Sequence, residues 1–431
     1  MPLVEPLAIP RLTARVDRQW KVPGSKSITN RALLLAALAE GTSVLENVLT
    51  SDDTEHMRSG LGQLGIAISD GAPGQVIVQG GRSRLRPSAT PLYVGNSGTT
   101  VRFLTALASL VPGSTTLVGD AAMASRPIAD LVDGLRQLGV AIDCASGSPP
   151  LTVHGGHLPG GRIAMRADRS SQYFSALLLV AAQADADLHI EVLGTLVSRP
   201  YVEMTARMVR DFGGQIDTSP RGFTAHRTTA YRARSYWVEP DASSASYPFA
   251  LAAAGGHRLV VPRLDASSLQ GDYHLVDMLE RMGAVVEREA TFTAVSGPGA
   301  GGLRGIEADF ADISDTVMTV AAIAPLCTAP VTLTGIGNIR IKETDRLLAT
   351  VTELSRLGCT VTSGSDWLRI EPSIPTRAAT VHCYHDHRMA MSFAVLGAIH
   401  GGVTIEDPSC TAKTYPRFWD DLGSLYPVAP W

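Results

Sequence analysis

The sequence predicts an α/β (α+β) fold of two similar lobes, each built from three β-α-β-α-β-β units. Three observations predict it. One apolar helix core recurs six times, beginning at Ala32, Phe103, Phe174, Phe249, Met318 and Met389, at spacings of 71, 71, 75, 69 and 71 residues. In step with it runs a helix that ends in an apolar-Gly pair. Its glycines are Gly65, Gly139, Gly213, Gly283, Gly358 and Gly423, spaced 74, 74, 70, 75 and 65. Each apolar core also follows a short polar segment. Self-similarity at a fixed period marks a repeat, and a repeat places equivalent residues equivalently.

Each element has its own local signal. The core helices, such as ALLLAALAEG and FSALLLVAAQA, are apolar nearly all round and must be buried. Strand-like runs follow at 42–48, 114–120, 187–193, 257–264, 330–336 and 402–408. Then come amphipathic helices such as IADLVDGLRQLG, with apolar residues at three- and four-residue steps and a glycine cap. One or two further strands of the QVIVQG type close the unit. Helices apolar on every side need sheets or other helices around them.

Six units divide most simply as three and three. Residues 1–20 with 241–431 form the first lobe (repeats four to six), and residues 21–240 the second (repeats one to three). Glu239-Pro240-Asp241 marks the midpoint and Arg18–Pro23 the other crossing. No low-complexity linker separates the lobes, and a cleft between them is the expected place for a small ligand.

Bulk composition narrows the function. The chain has 431 residues, 45% hydrophobic and 18% charged, as in ordinary soluble proteins. A net charge of -4 lacks the basic excess of a general nucleic-acid binder. Five scattered cysteines with no C-x-x-C fit a reduced compartment and no zinc ribbon. The start MPLVEPLAIP has no basic region ahead of an apolar one, and no apolar run reaches membrane-spanning length. The expectation is a soluble cytoplasmic monomer, with no membrane, nucleic-acid or metal partner and no cofactor.

The polar segments carry the chemistry. P-G-S-K-S-I-T-N-R (23–31) crowds Lys26, Ser27 and Arg31 at a helix start. Free N–H groups already make that end positive, so added cations point to an anion; capping by Ser or Thr with solvated cations is the alternative. G-N-S-G-T-T-V-R (95–102) reads the same way, with Gly98 and Arg102, or as a plain turn and cap. D-R-S-S-Q-Y supplies Ser170, Ser171 and Gln172, while D-A-S-S-A-S-Y-P has no cation and reads as a cap. Asp315 in D-I-S-D-T is either an N-cap or a general base. In Y-H-D-H-R-M-A-M, His385 and His387 lack a third ligand of recognisable spacing, and Arg388 repels a cation.

Further groups stand at other helix entries: Arg126 in A-S-R-P, Ser198 in S-R-P-Y, Lys413 in C-T-A-K-T-Y-P, and Lys342, Glu343 and Arg346 in K-E-T-D-R. Lys342 and Arg346 fall four apart, on one face if the helix has begun, or in an exposed salt-bridge ladder. Lys26, Arg31, Arg102, Arg126, Lys342, Arg346, Arg388 and Lys413 are eight cations, enough for a ligand set of five or six negative charges. The Walker phosphate loop and a strand-linked G-x-G-x-x-G are both absent. Together these features describe an enzyme for highly anionic small molecules that uses no metal or nucleotide.

In this order P-G-S-K-S-x-T-N-R, G-N-S-G-T-T-V-R, S-R-P-I, S-S-Q, K-E-T-D-R, D-H-R-M-A-M and C-T-A-K-T-Y-P resemble the 5-enolpyruvylshikimate-3-phosphate synthases, or 3-phosphoshikimate 1-carboxyvinyltransferases, from about Pro23 to Pro416. The resemblance implies two three-unit lobes that close on the substrates. It implies transfer of the enolpyruvyl group of phosphoenolpyruvate to the 5-hydroxyl of shikimate 3-phosphate by addition–elimination, releasing phosphate. That is the sixth step of the shikimate route to chorismate and the aromatic amino acids.

By motif it implies that Lys26, Ser27, Arg31, Ser170, Ser171, Gln172, Ser198, Tyr201, Asp315, Asn338 and Lys342 hold shikimate 3-phosphate. Lys26, Gly98, Arg126, Gln172, Arg346, Arg388 and Lys413 would hold phosphoenolpyruvate. Asp315 would deprotonate the 5-hydroxyl and Glu343 protonate the methylene carbon, with Lys26, Arg126 and Lys413 stabilising charge. His387 would sit behind Arg388. Cations near Glu343 favour its carboxylate, so desolvation has to help it donate a proton.

One departure is Phe103, where many members carry Pro; it is expected behind the site. Gly98 implies sensitivity to glyphosate, a mimic of phosphoenolpyruvate, and an Ala there would point a methyl at that ligand. The nearest rival family, UDP-N-acetylglucosamine enolpyruvyl transferase, has a Cys in the loop that here reads G-D-A-A-M-A-S-R-P. A non-catalytic anion-binding scaffold is the rival from another class.

Overall fold

A computed structural model describes residues 5–228 and 230–431. The chain divides into two compact units, Gly24–Glu239 and Met1–Pro23 with Pro240–Trp431. In chain order the α-helices of the first are α1 (Lys26–Leu38), α2 (Asp52–Gln63), α3 (Gly98–Ala108), α4 (Ala129–Gln137), α5 (Ser171–Ala181) and α6 (Arg199–Asp211). Those of the second are α7 (Ala242–Gly255), α8 (Leu275–Arg281), α9 (Val317–Ile323), α10 (Arg346–Arg356), α11 (His387–His400) and α12 (Phe418–Gly423).

The six recurring apolar cores are α1, α3, α5, α7, α9 and α11. Every residue of α3 and α9 is buried, and in α11 only His400 is not. Within one unit α3 packs on α5 and α1 contacts both; within the other α11, α7 and α9 pack on one another. Three all-round apolar helices thus share each centre, as their composition requires. Among the described residues no helix is long and apolar enough to cross a membrane.

In five of the six repeats a small sheet of fixed order wraps the helices, a parallel pairing followed by two antiparallel pairs. In the third repeat Gly161–Arg166 lies parallel to Leu188–Leu193, which pairs antiparallel with Gly222–His226 and that with Gln215–Ser219. The second and fifth repeats follow the same order. The first and fourth contain an exchange that periodicity does not show. Ser235–Trp237 precedes α7 in the chain but lies parallel to Ala39–Glu46 of the first repeat. Asp17–Gln19 precedes α1 but lies parallel to Arg258–Pro262 of the fourth.

Each unit is therefore closed by a strand that leads into the other unit's first helix. The crossings fall at Pro23–Gly24 and Glu239–Pro240. The sixth repeat has no closing strands of its own: Leu7–Ile9 pairs antiparallel with Val403–Ile405 in their place.

The apolar-Gly pairs have a definite structural cause. Gly65, Gly139, Gly213, Gly283 and Gly358 all have left-handed φ, between 84° and 107°. In each case the amide two residues past the cap reaches back five residues, as from Ile66 N–H to the Leu61 carbonyl and from Cys359 N–H to Leu354. These are Schellman caps, in which a left-handed glycine satisfies the helix's last carbonyls. Gly423 departs from the series: it lies inside α12, and Ser424 caps that helix in a right-handed conformation.

The junctions leave no room for error. A Cβ on Gly24 would lie 1.8 Å from the Asn47 carbonyl oxygen, so only glycine allows the chain to enter α1 there. Past the end of α7, the buried His257 accepts at Nδ1 from the Val16 N–H (3.3 Å), which keeps the ring neutral. Burial, with help from Arg15, depresses its pKa.

The sign of the pH effect follows. Below about 6.5 the unfolded chain binds the His257 proton first, so stability falls as pH drops through that value. The thermal midpoint should therefore fall between pH 7.5 and 5.5. A His257→Asn variant, whose Oδ1 can accept from Val16, should lose less, by up to roughly 1.4 kcal/mol per pH unit. Identical pH profiles for the two proteins would remove His257 from the explanation.

Candidate functional site

In the Gly24–Glu239 unit the expected residues collect at helix N-termini. Lys26 is the first residue of α1, capped by Ser25, and its Nζ lies 3.1 Å from the buried Asp53 carboxylate on α2. Arg31, one turn further, is 1% exposed. Its Nε donates to Thr205 Oγ1 (2.7 Å), Nη1 to the Ser27 carbonyl (2.8 Å), and Nη2 to Ser175 Oγ (3.1 Å) and the Tyr201 carbonyl (3.2 Å). The guanidinium also faces the Phe103 and Tyr201 rings at 5.2 and 5.9 Å.

All of Arg31's described acceptors are neutral. Burial lowers its pKa to about 10, with the coulombic effect of Tyr201 opposing. A buried guanidinium without a described carboxylate carries a charge that an anion would match. Solvated capping cations do not describe it. Phe103 is not merely behind this group; it forms one wall of it.

Gly98 opens α3, with Ser97 as its cap. Arg102 on that helix donates to Gln172 Oε1 (2.6 Å) and the Pro127 carbonyl (3.1 Å). Gln172 is thereby turned so that its amide NH2 remains a donor. Arg126 donates to the carbonyl (2.9 Å) and Oδ1 (3.1 Å) of Asn96. A Cβ on Gly98 would lie 2.5 Å from Arg126 Nη2 and 2.7 Å from Arg102 Nη1. An alanine would therefore meet these guanidinium groups first, and reach a ligand through them. Ser170 caps α5 by accepting from the Gln172 N–H (3.2 Å), with Ser171 next to it. Ser198 stands before α6 with left-handed φ 51°, ψ 45°, a strained state for serine.

In the other unit Arg346, the first residue of α10, is the hub. Its Nε donates to Asp386 Oδ2 (2.7 Å), Nη1 to Asp315 Oδ1 (3.1 Å) and Nη2 to Glu343 Oε2 (2.7 Å). Arg388 Nη2 donates to Asp315 Oδ2 (2.9 Å), Lys342 Nζ lies 3.6 Å from Asp315, and Lys413 Nζ 3.9 Å from Glu343. Asn338 donates to Ser314 Oγ (3.2 Å) beside Asp315. His387 is buried against Asp386, its Nδ1 3.7 Å from the carboxylate.

Several alternatives are settled here. Asp315 lies in a 3-10 turn, Ser314–Thr316, and caps no helix; it faces three cations. Burial alone would raise its carboxyl, but Arg388, Lys342 and Arg346 outweigh burial and hold it well below the usual range. Burial lowers the Lys342 ammonium despite Asp315. It would lower Arg346 too, but Asp386, Glu343 and Asp315 reverse that. Lys342 precedes α10 and follows the 3-10 helix Gly337–Ile341, so the one-face spacing with Arg346 does not apply; both converge on Asp315 instead. With Arg346 only 2% exposed, an exposed ladder is excluded.

Charge counting changes as well. Among the eight cations stand at least four carboxylates, Asp53, Asp315, Glu343 and Asp386. At most half of the bare cation count is therefore left uncompensated over the two units. Asp53 and Asp386 were without assigned roles on sequence grounds. Their signals are S-D-D-T and H-D-H-R, each an acid at a helix start, with a cation adjacent only in the second.

The profile of a family described as EPSP synthase (3-phosphoshikimate 1-carboxyvinyltransferase) matches residues 10–422. The chain belongs to the EPSP synthase family. It is 45% identical over 420 residues to a 3-phosphoshikimate 1-carboxyvinyltransferase of Nostoc sp., covering 96% of this chain and 98% of that one. A relative of the same name from Klebsiella pneumoniae is 41% identical over 423 residues, at 96% and 98% coverage. A solved EPSP synthase structure from Acinetobacter baumannii superimposes with a TM-score of 0.81 at 26% identity, covering 98% of each chain. The family and its two-lobed α/β fold agree with the motifs; the Cys-containing rival and the bare scaffold do not.

Arg31 offers a direct test of the buried anion receptor. Arg31→Lys retains charge but cannot reach four acceptors, and should lower stability by about 1–3 kcal/mol. Added shikimate 3-phosphate should also raise the thermal midpoint less than in the parent. Unchanged melting with unchanged ligand protection would show that the fork geometry is dispensable.

Proposed function

We propose residue roles for the reaction of this family, which the chain carries out: enolpyruvyl transfer from phosphoenolpyruvate to the 5-hydroxyl of shikimate 3-phosphate, with release of phosphate. It does so, on this reading, as a cytoplasmic monomer. The observation that carries the roles is the part-buried Asp315 carboxylate facing Arg346, Arg388 and Lys342. A carboxylate held ionised is in the right protonation state for a base, though a weak one. An arriving phosphate or carboxylate competes for the same three cations. As they turn to the ligand, Asp315 loses stabilisation of its charge and becomes more basic. Substrate binding thus switches on the base that removes the 5-hydroxyl proton.

Glu343 is assigned as the acid that protonates the methylene carbon. Arg346 and Lys413 hold it in place, and the same competition for cations frees it to carry a proton. Lys26, Ser27, Arg31, Ser170, Ser171, Gln172, Ser198, Tyr201, Asn338 and Lys342 join Asp315 in holding shikimate 3-phosphate. Lys26, Gly98, Arg126, Gln172, Arg346, Arg388 and Lys413 are assigned to phosphoenolpyruvate, where cations stabilise charge on the transferring group.

Phosphate release from phosphoenolpyruvate, dependent on shikimate 3-phosphate, measures the reaction. Asp315→Asn should lower kcat at least about a hundredfold at a temperature where the variant is fully folded; a near-parental kcat would rule out the base role. Gly98→Ala should push Arg126 aside, raise KM for phosphoenolpyruvate about tenfold, the worth of one charge-assisted contact, and weaken inhibition by glyphosate. Parental inhibition by glyphosate would overturn that reading of Gly98.

A further inference from the structure

The turn that delivers Arg388 is held in an unfavourable shape. Tyr384 and His385 both have left-handed φ, 55° and 54°, immediately before the Asp386 cap of α11. Neither is glycine, and L side chains resist that region. His385 gives little anchorage, since its side chain is 93% exposed and its Nδ1 lies 3.8 Å from the Asp407 carboxylate. Something else must hold the turn.

Glu353 does. It is a fully buried carboxylate on α10, seven residues after Arg346 and so on the same helical face. Its Oε1 accepts from the Tyr384 hydroxyl (2.7 Å) and its Oε2 from the His382 N–H (3.2 Å). Arg356, one turn on, supplies the countercharge (3.1 Å). Between the two acidic contacts Thr350 Oγ1 touches Met389 Sδ (3.8 Å). One face of α10 therefore holds the 382–389 segment at both ends: Arg346 takes Asp386, and Glu353 takes Tyr384 and His382.

We infer that Glu353 is a positioning residue for Arg388: through Tyr384 and the His382 amide it keeps two left-handed residues in the turn that aims Arg388. This rests on the assignment of Arg388 to phosphoenolpyruvate. A carboxylate suits the task because a buried charge-assisted bond to a phenol is short and directional. Nothing about the role requires Glu353 to touch a substrate.

Tyr384→Phe tests it with minimal disturbance. KM for phosphoenolpyruvate should rise about tenfold, the size of one charge-assisted hydrogen bond, while KM for shikimate 3-phosphate stays within about twofold. Adding His385→Gly should restore most of the loss, because glycine holds a left-handed turn without help. Glu353→Gln should show the same selective rise. A Tyr384→Phe protein with parental KM for phosphoenolpyruvate, or equal losses in both KM values that His385→Gly leaves uncorrected, would overturn the inference. Arg388→Lys separates the two levels. If it leaves KM for phosphoenolpyruvate unchanged, the substrate assignment fails; if it raises KM while Tyr384→Phe does not, only the positioning role fails.

Discussion

Arg346 is the group on which one unit's chemistry turns. A guanidinium buried to 2% exposure is tolerable only with nearly every N–H satisfied and its charge matched. It meets that demand through Asp386, Asp315 and Glu343, contributed by three separate chain segments. Removing any of these leaves buried charge uncompensated, so the three acids are fixed in place by the physics of one cation. The two assigned to proton transfer, Asp315 and Glu343, are thus oriented before a substrate arrives. Preorganisation here is a consequence of burial.

The repeat explains why such groups recur at equivalent places. Three apolar helices at the centre of each unit must start somewhere, and their N-termini come with unpaired N–H groups and a positive potential. Segments ahead of α1, α3 and α11 add cations to ends that already favour anions, which is unfavourable until an anion binds. The fourth repeat shows the alternative. There Asp241 caps α7 by accepting from the Ser244 N–H (2.7 Å), and Ser246 bonds Thr319 inside the core (2.9 Å), so that helix start is satisfied by its own neighbours.

Much of this was legible from residue patterns, for identifiable reasons. Helix cores and Schellman caps depend on local contacts, so period and glycine position suffice to find them. The cations at helix starts stood out because local physics disfavours them there. What stayed hidden depends on chain path. The strand exchange between Asp17–Gln19 and Ser235–Trp237 leaves no periodic trace, since each strand sits where its own repeat would want one. Asp315 could be read as an N-cap because an acid before a helix nearly always is one. Lys342 and Arg346 looked like helix neighbours, but α10 begins only at Arg346, and a non-helical stretch lets both meet a common acid. Gly423 fits the spacing yet performs no left-handed turn.

The two units keep buried cations by different means, and the difference bears on catalysis. Arg31 is satisfied by hydroxyls and carbonyls and walled by aromatic rings, so its charge stays available and its geometry stays rigid. Nothing among its described acceptors would change protonation if an anion arrived. Around Arg346 the acceptors are carboxylates, so an incoming anion displaces one charge partner with another and shifts the proton affinity of what it displaces. Under the roles proposed, the first arrangement would hold a ligand and the second would convert binding into acid–base chemistry. On that proposal, a repeat duplicated in fold separates recognition from proton transfer by a choice of neutral or ionised neighbours for its arginines.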